Sequence, residues 1–407
     1  MLQGQVRRRP LKNSSQAHPG VFPLDVLTHR TQRFQPLPLP LGTPPYHFEL
    51  ETVAPGIGAE AAKLGKLVFH CMGDTGGVKS PEFQASVAAA LKGDLLLPDA
   101  TRPRFFYHLG DVVYFNGLIS EYYAQFYEPY DHYGPPILGI PGNHDGDPIN
   151  ATQTSLDGWV RYFMSPKPVV RAESADAPRV TLSLPNPYFT LNCPFVTIVG
   201  MYTNVPEGGS IDSVQQQWLT HELAMAPKDK ALIVAMHHPV YSFDDHHSGS
   251  AAMADALQHA INDSRRVPNM VLAAHVHNFQ LIERKIILAG PAAAAGAAKG
   301  TGKKKPGAGS GAAGAMPFVV CGHGGYYHLH GMNAAAGATD AATGAHLVYE
   351  EHQHHGYMTL TVDAKAISGV MTTVANRSGQ GAGPGPTTSF TYAAGFVELP
   401  AGAVVSL

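Results

Sequence analysis

Phe105-Phe106-Tyr107-His108-Leu109-Gly110-Asp111-Val112-Val113-Tyr114 and Ile137-Leu138-Gly139-Ile140-Pro141-Gly142-Asn143-His144-Asp145-Gly146 share one pattern: a short, bulky apolar run, then glycine and polar groups. Such runs suit buried strands of a parallel sheet, and in open α/β sheets ligands bind beyond the carboxyl ends of strands. The pattern recurs upstream in Phe69-His70-Cys71-Met72-Gly73-Asp74. Downstream it recurs in Ala235-Met236-His237-His238-Pro239 and Ala273-Ala274-His275-Val276-His277. Five strand ends that all carry metal-type ligands are hard to explain by packing alone.

Composition bounds what surrounds these segments. The chain has 407 residues, enough for two or three domains or for one large α/β domain with insertions. At 44% hydrophobic residues it can fill a core, and at a net charge of -3 it offers no global attraction to a nucleic acid or a membrane. Charged residues, at 14%, are sparse, while 43 glycines and 33 prolines imply long loops. The 22 histidines are the compositional outlier. Cys71, Cys193 and Cys321 are far apart and form no Cys-x-x-Cys pair, which argues against a disulfide framework and for a reducing compartment. The first residues carry Arg7 to Arg9 but no apolar signal run, and no stretch of about 18 apolar residues marks a membrane span. The expected location is therefore cytoplasmic.

Along the chain, residues 1–45 are polar and Pro-rich and read as an extended arm. Residues 46–375 read as the main folded domain. An edge strand over 47–53 precedes a core strand over 66–72, and Ser80-Pro81 opens a helix to about residue 92, which completes a βαβ unit with the Phe105 strand. The aromatic stretch 116–134 is expected to be a helix beside the site, and 159–163 a short helix. Strands over 195–200, 231–236 and 270–274 alternate with helices over 213–223, with Val214, Trp218 and Leu223 on the apolar face, and 251–261. Residues 291–315 are almost all Ala, Gly and Lys and read as a mobile insertion. Residues 357–363 and 366–374 read as a hairpin of the second layer. Residues 376–407 read as a linker with a possible edge strand after Phe396.

The polar residues at the strand ends form one set: Asp74; Asp111 and Tyr114, three apart; Asn143 and His144; His237; His275 and His277. Carboxylates can bridge two cations while imidazoles and an amide complete each shell, so the set suits two adjacent metals. Singly, each has a plain alternative: Asp74 a helix cap, Asn143 a turn former, Tyr114 a core aromatic, His237 a buried imidazole. Their joint occurrence after apolar strands favours a site.

The order Gly-Asp, Gly-Asp, Gly-Asn-His-Asp, His-His-Pro, His-x-His is similar to the calcineurin-like metallophosphoesterases over about residues 65–375. More narrowly it resembles the purple acid phosphatase branch. Gly76 stands where the wider superfamily has a His, and Tyr114 is the residue that the branch uses instead. Gly110-Asp-Val-Val-Tyr-Phe-Asn-Gly117, His238-Pro-Val-Tyr-Ser242 and His277-Asn-Phe-Gln280 add to the likeness. Ala274 departs from it, replacing a usual Gly, with an expected effect on turn strain rather than on ligation.

The resemblance implies a four-layer α/β/β/α sandwich of two mixed sheets flanked by helices. It implies one metal held by Asp74, Tyr114 and His277, another by Asn143, His237 and His275, and Asp111 bridging them. A phenolate favours Fe(III), so the Tyr114 site is expected to be ferric and the protein purple or pink; the second ion is a divalent Fe, Zn or Mn. Two such ions about 3.5 to 4 Å apart clamp a phosphate ester and activate a water for in-line attack. His144 is the expected transition-state stabiliser or acid, with Asp145 orienting its ring. His246 matches a second substrate-facing His, with His247 leaving the register open. His323, His328, His330, His346, His352, His354 and His355 cluster near the second layer as further candidates to line the pocket; His323 is the best of them, and the others more often read as surface residues or incidental.

The expected reaction is phosphomonoester hydrolysis on a small-molecule substrate or a phosphoprotein, with no nucleic-acid or membrane partner. A nucleotide phosphodiesterase using the same metals, or a non-catalytic phosphate-binding scaffold, are the alternatives. Substrate identity and oligomeric state are not legible in the chain.

Overall fold

A computed structural model of the chain describes residues 34–204, 208–286, 313–375 and 385–407. Its strands in chain order are β1 (His47–Glu49), β2 (Lys66–Met72), β3 (Phe106–His108), β4 (Ile137–Gly139), β5 (Phe189–Asn192), β6 (Val196–Gly200), β7 (Ala231–Ala235) and β8 (Arg266–Val267). They continue as β9 (Met270–Ala273), β10 (Phe279–Ile286), β11 (Ala313–Cys321), β12 (Ala345–Glu351), β13 (Gly356–Asp363), β14 (Ala366–Thr373), β15 (Thr388–Ala393) and β16 (Val397–Glu398).

Two large mixed sheets result. One has six strands in the order β15-β14-β13-β2-β3-β4, and the other eight in the order β1-β5-β6-β7-β9-β11-β10-β12. In the first, β2, β3 and β4 run parallel, so the loops bearing Asp74, Asp111 and Asn143 leave the same edge. In the second, β6, β7, β9 and β11 run parallel and deliver His237 and His275 likewise. These strands are buried throughout, as expected of parallel strands covered on both faces. The sheets meet closely: Gly200 leaves room for Tyr107 and Ile140, and Gly73 donates its N–H to Cys321 O at 2.9 Å. Helix Pro81–Asp94 covers the six-stranded sheet, while Ser213–Met225 and Ala251–Ser264 pack on each other beside the eight-stranded one.

Several expectations are corrected. The hairpin of β13 and β14 belongs to no separate layer: β13 pairs antiparallel with β2, Leu360 opposite Phe69, and so widens the same sheet. On helix Ser213–Met225, Val214 is 64% exposed, and the buried face carries Gln215 and Glu222 beside Trp218, Leu219 and Leu223. The aromatic stretch forms a 3-10 turn, Ile119–Glu121, and a π turn, Tyr123–Tyr127, rather than a regular helix.

Of the expected arm, residues 1–33 lie outside the described residues, but 34–45 are laid along the body: Leu41 and Gly42 donate to Pro185 O, and Trp218 Nε1 to Pro45 O at 2.7 Å. The expected insertion at 291–315 lies outside the described residues up to 312, and 313–315 already belong to β11. At the C-terminal side 376–384 lie outside them. A short strand after Phe396 is present, β16, paired antiparallel with β8; β15, ahead of Phe396, was not expected and edges the six-stranded sheet, and Arg265 binds Leu399 O and Ala403 O at 2.7 Å each. The C-terminal residues 385–407 thus join the body rather than trail from it. Among the described residues, no helix is long and apolar enough to cross a membrane.

Candidate metal centre

The strand ends converge where the two sheets face each other. Asp74, Asp111 and His275 each turn out of their strand with φ of 55, 55 and 66°, a left-handed conformation that costs side-chain-bearing residues roughly 1–2 kcal/mol. The preceding glycines make the close approach possible: a Cβ on Gly110 would lie 2.6 Å from Gly142 N and 2.7 Å from His237 Nδ1. The strained residue of the last turn is His275, not Ala274, whose methyl lies over Gly73. The departure at Ala274 therefore adds no turn strain.

Two groups of donors form. Asp74 Oδ1, Tyr114 Oη and His277 Nε2 are mutually 3.1, 3.4 and 3.5 Å apart. In the second group Asn143 Oδ1 lies 3.1 Å from His237 Nε2 and 3.0 Å from His275 Nδ1, and Asp111 Oδ2 lies 3.2 Å from His237 Nε2. Ligand atoms about 2.0–2.1 Å from one ion are themselves about 3 to 3.4 Å apart, so both groups have the spacing of a shell. Asp111, His237 and His275 also form a cluster whose ligand atoms lie within 4.8 Å of one another.

The surrounding hydrogen bonds orient these donors. His237 Nδ1 donates to Leu109 O at 2.8 Å, and His277 Nδ1 to His328 O at 3.1 Å, which turns both Nε2 lone pairs inward. Asp74 Oδ2 accepts from His275 N at 2.7 Å, and Asp111 Oδ1 from His144 N at 2.9 Å. Asp111 Oδ2 is left buried with no hydrogen-bond donor. It lies 3.2 Å from His237 Nε2, and positive charge, a proton on that nitrogen or a cation held by both atoms, has to sit there. Tyr114 is held from behind by Gln125 of the π turn, which bonds its N–H and its C=O at 2.9 Å each.

Charge balance points the same way. Burial alone would lower the His237 pKa, but the Asp111 and Asp74 carboxylates push it up to about 9. Burial, then the Asp74 and Asp111 charges, hold the Tyr114 phenol well above its ordinary value. Burial alone would raise Asp111, yet His237 and His144 keep it well below the usual carboxylate range. Among the described residues neither Asp74 nor Asp111 pairs with a lysine or arginine. Buried charge persists only when partnered; a proton on His237 serves one contact, whereas cations serve all seven donors. The donor set fits metal ions.

Of the flanking residues, Asp145, His246 and His323 take different places from those expected. His144 Nδ1 donates to Phe115 O at 2.8 Å, and its ring lies 4.6 Å from Tyr114. Asp145 does not orient that ring: its carboxylate accepts from Val112, Val113 and Gly142 N–H, clamping the Asp111 and Asn143 loops together. Burial first, then the Asp111 charge, raise it to about 7. His247, not His246, stands against the ligands, its ring 4.6 Å from His275; His246 stacks outward on His330. His323 packs in the core between Phe279 and Gly356.

Sequence reasoning missed Tyr326, whose ring lies 4.3 Å from both Tyr114 and His277, and ranked His330, also 4.3 Å from His277, below His323. The Gly-rich start of their loop, Cys321-Gly-His-Gly-Gly, is the one signal for it: Gly322 and Gly324 let it pass beside Asp74 and Gly73.

Comparison with known proteins agrees with this architecture. A search of curated proteins gives no match. Among solved structures the chain is similar to the purple acid phosphatase PPD1 of yellow lupin (Lupinus luteus) seeds, at 18% identity and a TM-score of 0.51 over 80% of this chain and 53% of that one. This chain thus spans about half the length of the lupin protein. It is similar also to GAP50, the anchor in the inner membrane complex of Plasmodium, at 13% identity and a TM-score of 0.50 over 81% of this chain and 89% of that one. At such identities the likeness is one of fold. The model of the calcineurin-like phosphoesterase family matches residues 67–279, more than half of the sequence, and the chain is a member of that family.

Proposed function

We propose that this phosphoesterase is a binuclear, metal-dependent phosphomonoesterase resembling the acid phosphatases. The observation that carries the reading is the pair of donor groups at the spacing of a metal shell, Asp74, Tyr114 and His277 at 3.1 to 3.5 Å and Asn143, His237, His275 and Asp111 at 3.0 to 3.2 Å. Asp74, Tyr114 and His277 would hold a ferric ion, and Asn143, His237 and His275 a divalent Fe, Zn or Mn, with Asp111 shared. Bound there, the ions would neutralise the phosphoryl oxygens and acidify a water for in-line attack.

The remaining work falls to the chain. His144 has its Nδ1 proton committed to Phe115 O, so Nε2 faces the substrate and passes a proton to the leaving oxygen. Its backbone N–H meanwhile fixes Asp111. Asp145 keeps the Asp111 and Asn143 loops in register. His247 contacts the non-bridging side of the phosphate. The substrate is a small phosphate monoester, with a phosphoprotein as the second choice. Cys71, Cys193 and Cys321 are all free and buried, which supports a reducing, cytoplasmic setting.

Parallel assays with p-nitrophenyl phosphate and its bis ester test the reading, alongside metal content and a visible spectrum. Faster turnover of the monoester is expected. Preference for the diester would make it a phosphodiesterase, and no turnover by the fully metallated protein would leave a phosphate-binding scaffold.

A further inference from the structure

A second group of ligands lies just outside the catalytic set. Asp244, His246 and His330 each offer one ligand atom, and the three atoms lie within 4.8 Å of one another. Their loops are tied together before any ligand arrives: Asp245 N donates to Gly331 O at 3.1 Å, Asn333 N to Phe243 O at 2.9 Å, and Asn333 Nδ2 to Asp244 O at 3.0 Å. Asp244 Oδ1 accepts from His246 N and His247 N, and Oδ2 from Asn278 Nδ2 at 2.9 Å. The carboxylate is fixed, with lone-pair capacity left on Oδ2.

His330 is the anomaly. It is 1% exposed, yet neither ring nitrogen has a hydrogen-bond partner. Its Nδ1 lies 3.3 Å from Asp244 Oδ2 without forming a hydrogen bond. A buried imidazole with both nitrogens unsatisfied calls for an explanation, and a bound ion is one. His246 stacks on it at 4.5 Å and 18°, and the Asp245 carboxylate on His246 Nδ1 leaves Nε2 bare, the carboxylate-on-imidazole arrangement that sharpens a metal ligand. The His246 side chain is 31% exposed and opens the cluster to solvent, so a hydrated ion has an entry path.

We propose that Asp244, His246 and His330 form a third, mononuclear site for a divalent cation of the zinc class, separated from the Tyr114 metal group by the His277 ring. Two imidazoles and one carboxylate select a borderline ion such as Zn over Ca or Mg, and leave one position for water or an anion. An ion there adds positive charge at the rim, beside His247 and His328. The site does not depend on the catalytic reading, because none of its three ligands belongs to the seven-donor set.

Crystals of the full chain soaked in zinc test it by anomalous scattering across the zinc edge. A peak enclosed by Asp244, His246 and His330 is expected, lost in His330→Gln while any peak at Asp111 persists. Zinc per chain after dialysis should fall by one equivalent in His330→Gln and in His246→Gln; the second variant, with its partly exposed ring, carries the test should the first fail to fold. Absence of that peak beside an occupied Asp111 site, or its persistence in His330→Gln, overturns the proposal. A peak here with none at Asp111 supports it and sinks the binuclear reading instead, whereas no zinc at either place overturns both.

Discussion

Tyr114 shows how much one side chain can be asked to do. Its phenol is buried between Tyr326, His144 and His277, and its neighbours Asp74 and Asp111 oppose ionisation. A strongly polarising cation would be needed to make it a phenolate, so on the proposed reading the colour of the protein would report the ion. Iron-loaded protein is expected to absorb in the visible, and Tyr114→Phe, which keeps the ring and its packing, to lose that band; an unchanged band would remove Tyr114 from the metal. His144→Ala should reduce kcat by about 10² to 10⁴ with metal content retained, as expected of a proton donor rather than a ligand. Asp145→Ala should behave differently. It leaves buried N–H groups of Val112, Val113 and Gly142 without their acceptor, at about 1–3 kcal/mol, so the loss should appear in the melting temperature and in metal retention. Asp145 also shows where reading residues stops: its place next to His144 suggested a catalytic partner, but adjacent side chains in a tight turn point apart, and its bonds go to another loop.

Elements were legible where local pattern and tertiary role agree. The runs 66–72 and 231–236 are apolar on both faces and became β2 and β7 almost to the residue. Helix Pro81–Asp94 starts where its Pro at the first position says. Helix Ser213–Met225 is the contrary case, because its anchors are polar. Gln215 bonds both backbone groups of Tyr202, at 2.9 and 2.8 Å, and Glu222 accepts from Thr190 and meets His47 at 2.8 Å, binding the helix to β5 and β1. A reading by hydrophobic period discards such residues and promotes Val214, which faces water. Glu222→Ala should therefore destabilise the protein by about 1–3 kcal/mol, whereas Val214→Ser should stay within about 0.5 kcal/mol of wild type. Urea unfolding of the two variants checks this, and the reverse order would restore the apolar-face reading. The edge strand β15 escaped for a similar reason: its Ser/Thr-rich sequence resembles linker, and only Phe390 packing over Gly369 marks it.

At the scale of the molecule, the site exists because two sheets bring their parallel strands to a common edge, and no local pattern encodes that meeting. The candidate donors were readable since they follow five apolar strands; Tyr326, delivered by the loop between β11 and β12, was not, and His330 of the same loop could not be ranked above its neighbouring histidines, because loops carry no period. The same closure buries imidazoles far from the donors. Burial depresses His70, although Asp94 partly offsets it, and burial with the His355 charge lowers His323 to about 3. Both lie below the ordinary value of about 6.5. A depressed pKa means that the unfolded chain binds more protons: the stabilisation is present above about pH 6.5 and is lost as pH falls toward about 3, each tenfold drop in proton affinity being worth about 1.4 kcal/mol. The melting temperature should fall steadily from about pH 6.5 to about pH 4, and less steeply in His323→Gln, which removes one of the groups. A flat profile in the wild type would show that other groups cancel the effect. A falling one shows that the closure of the two sheets, by burying neutral imidazoles, sets the acid limit of the fold.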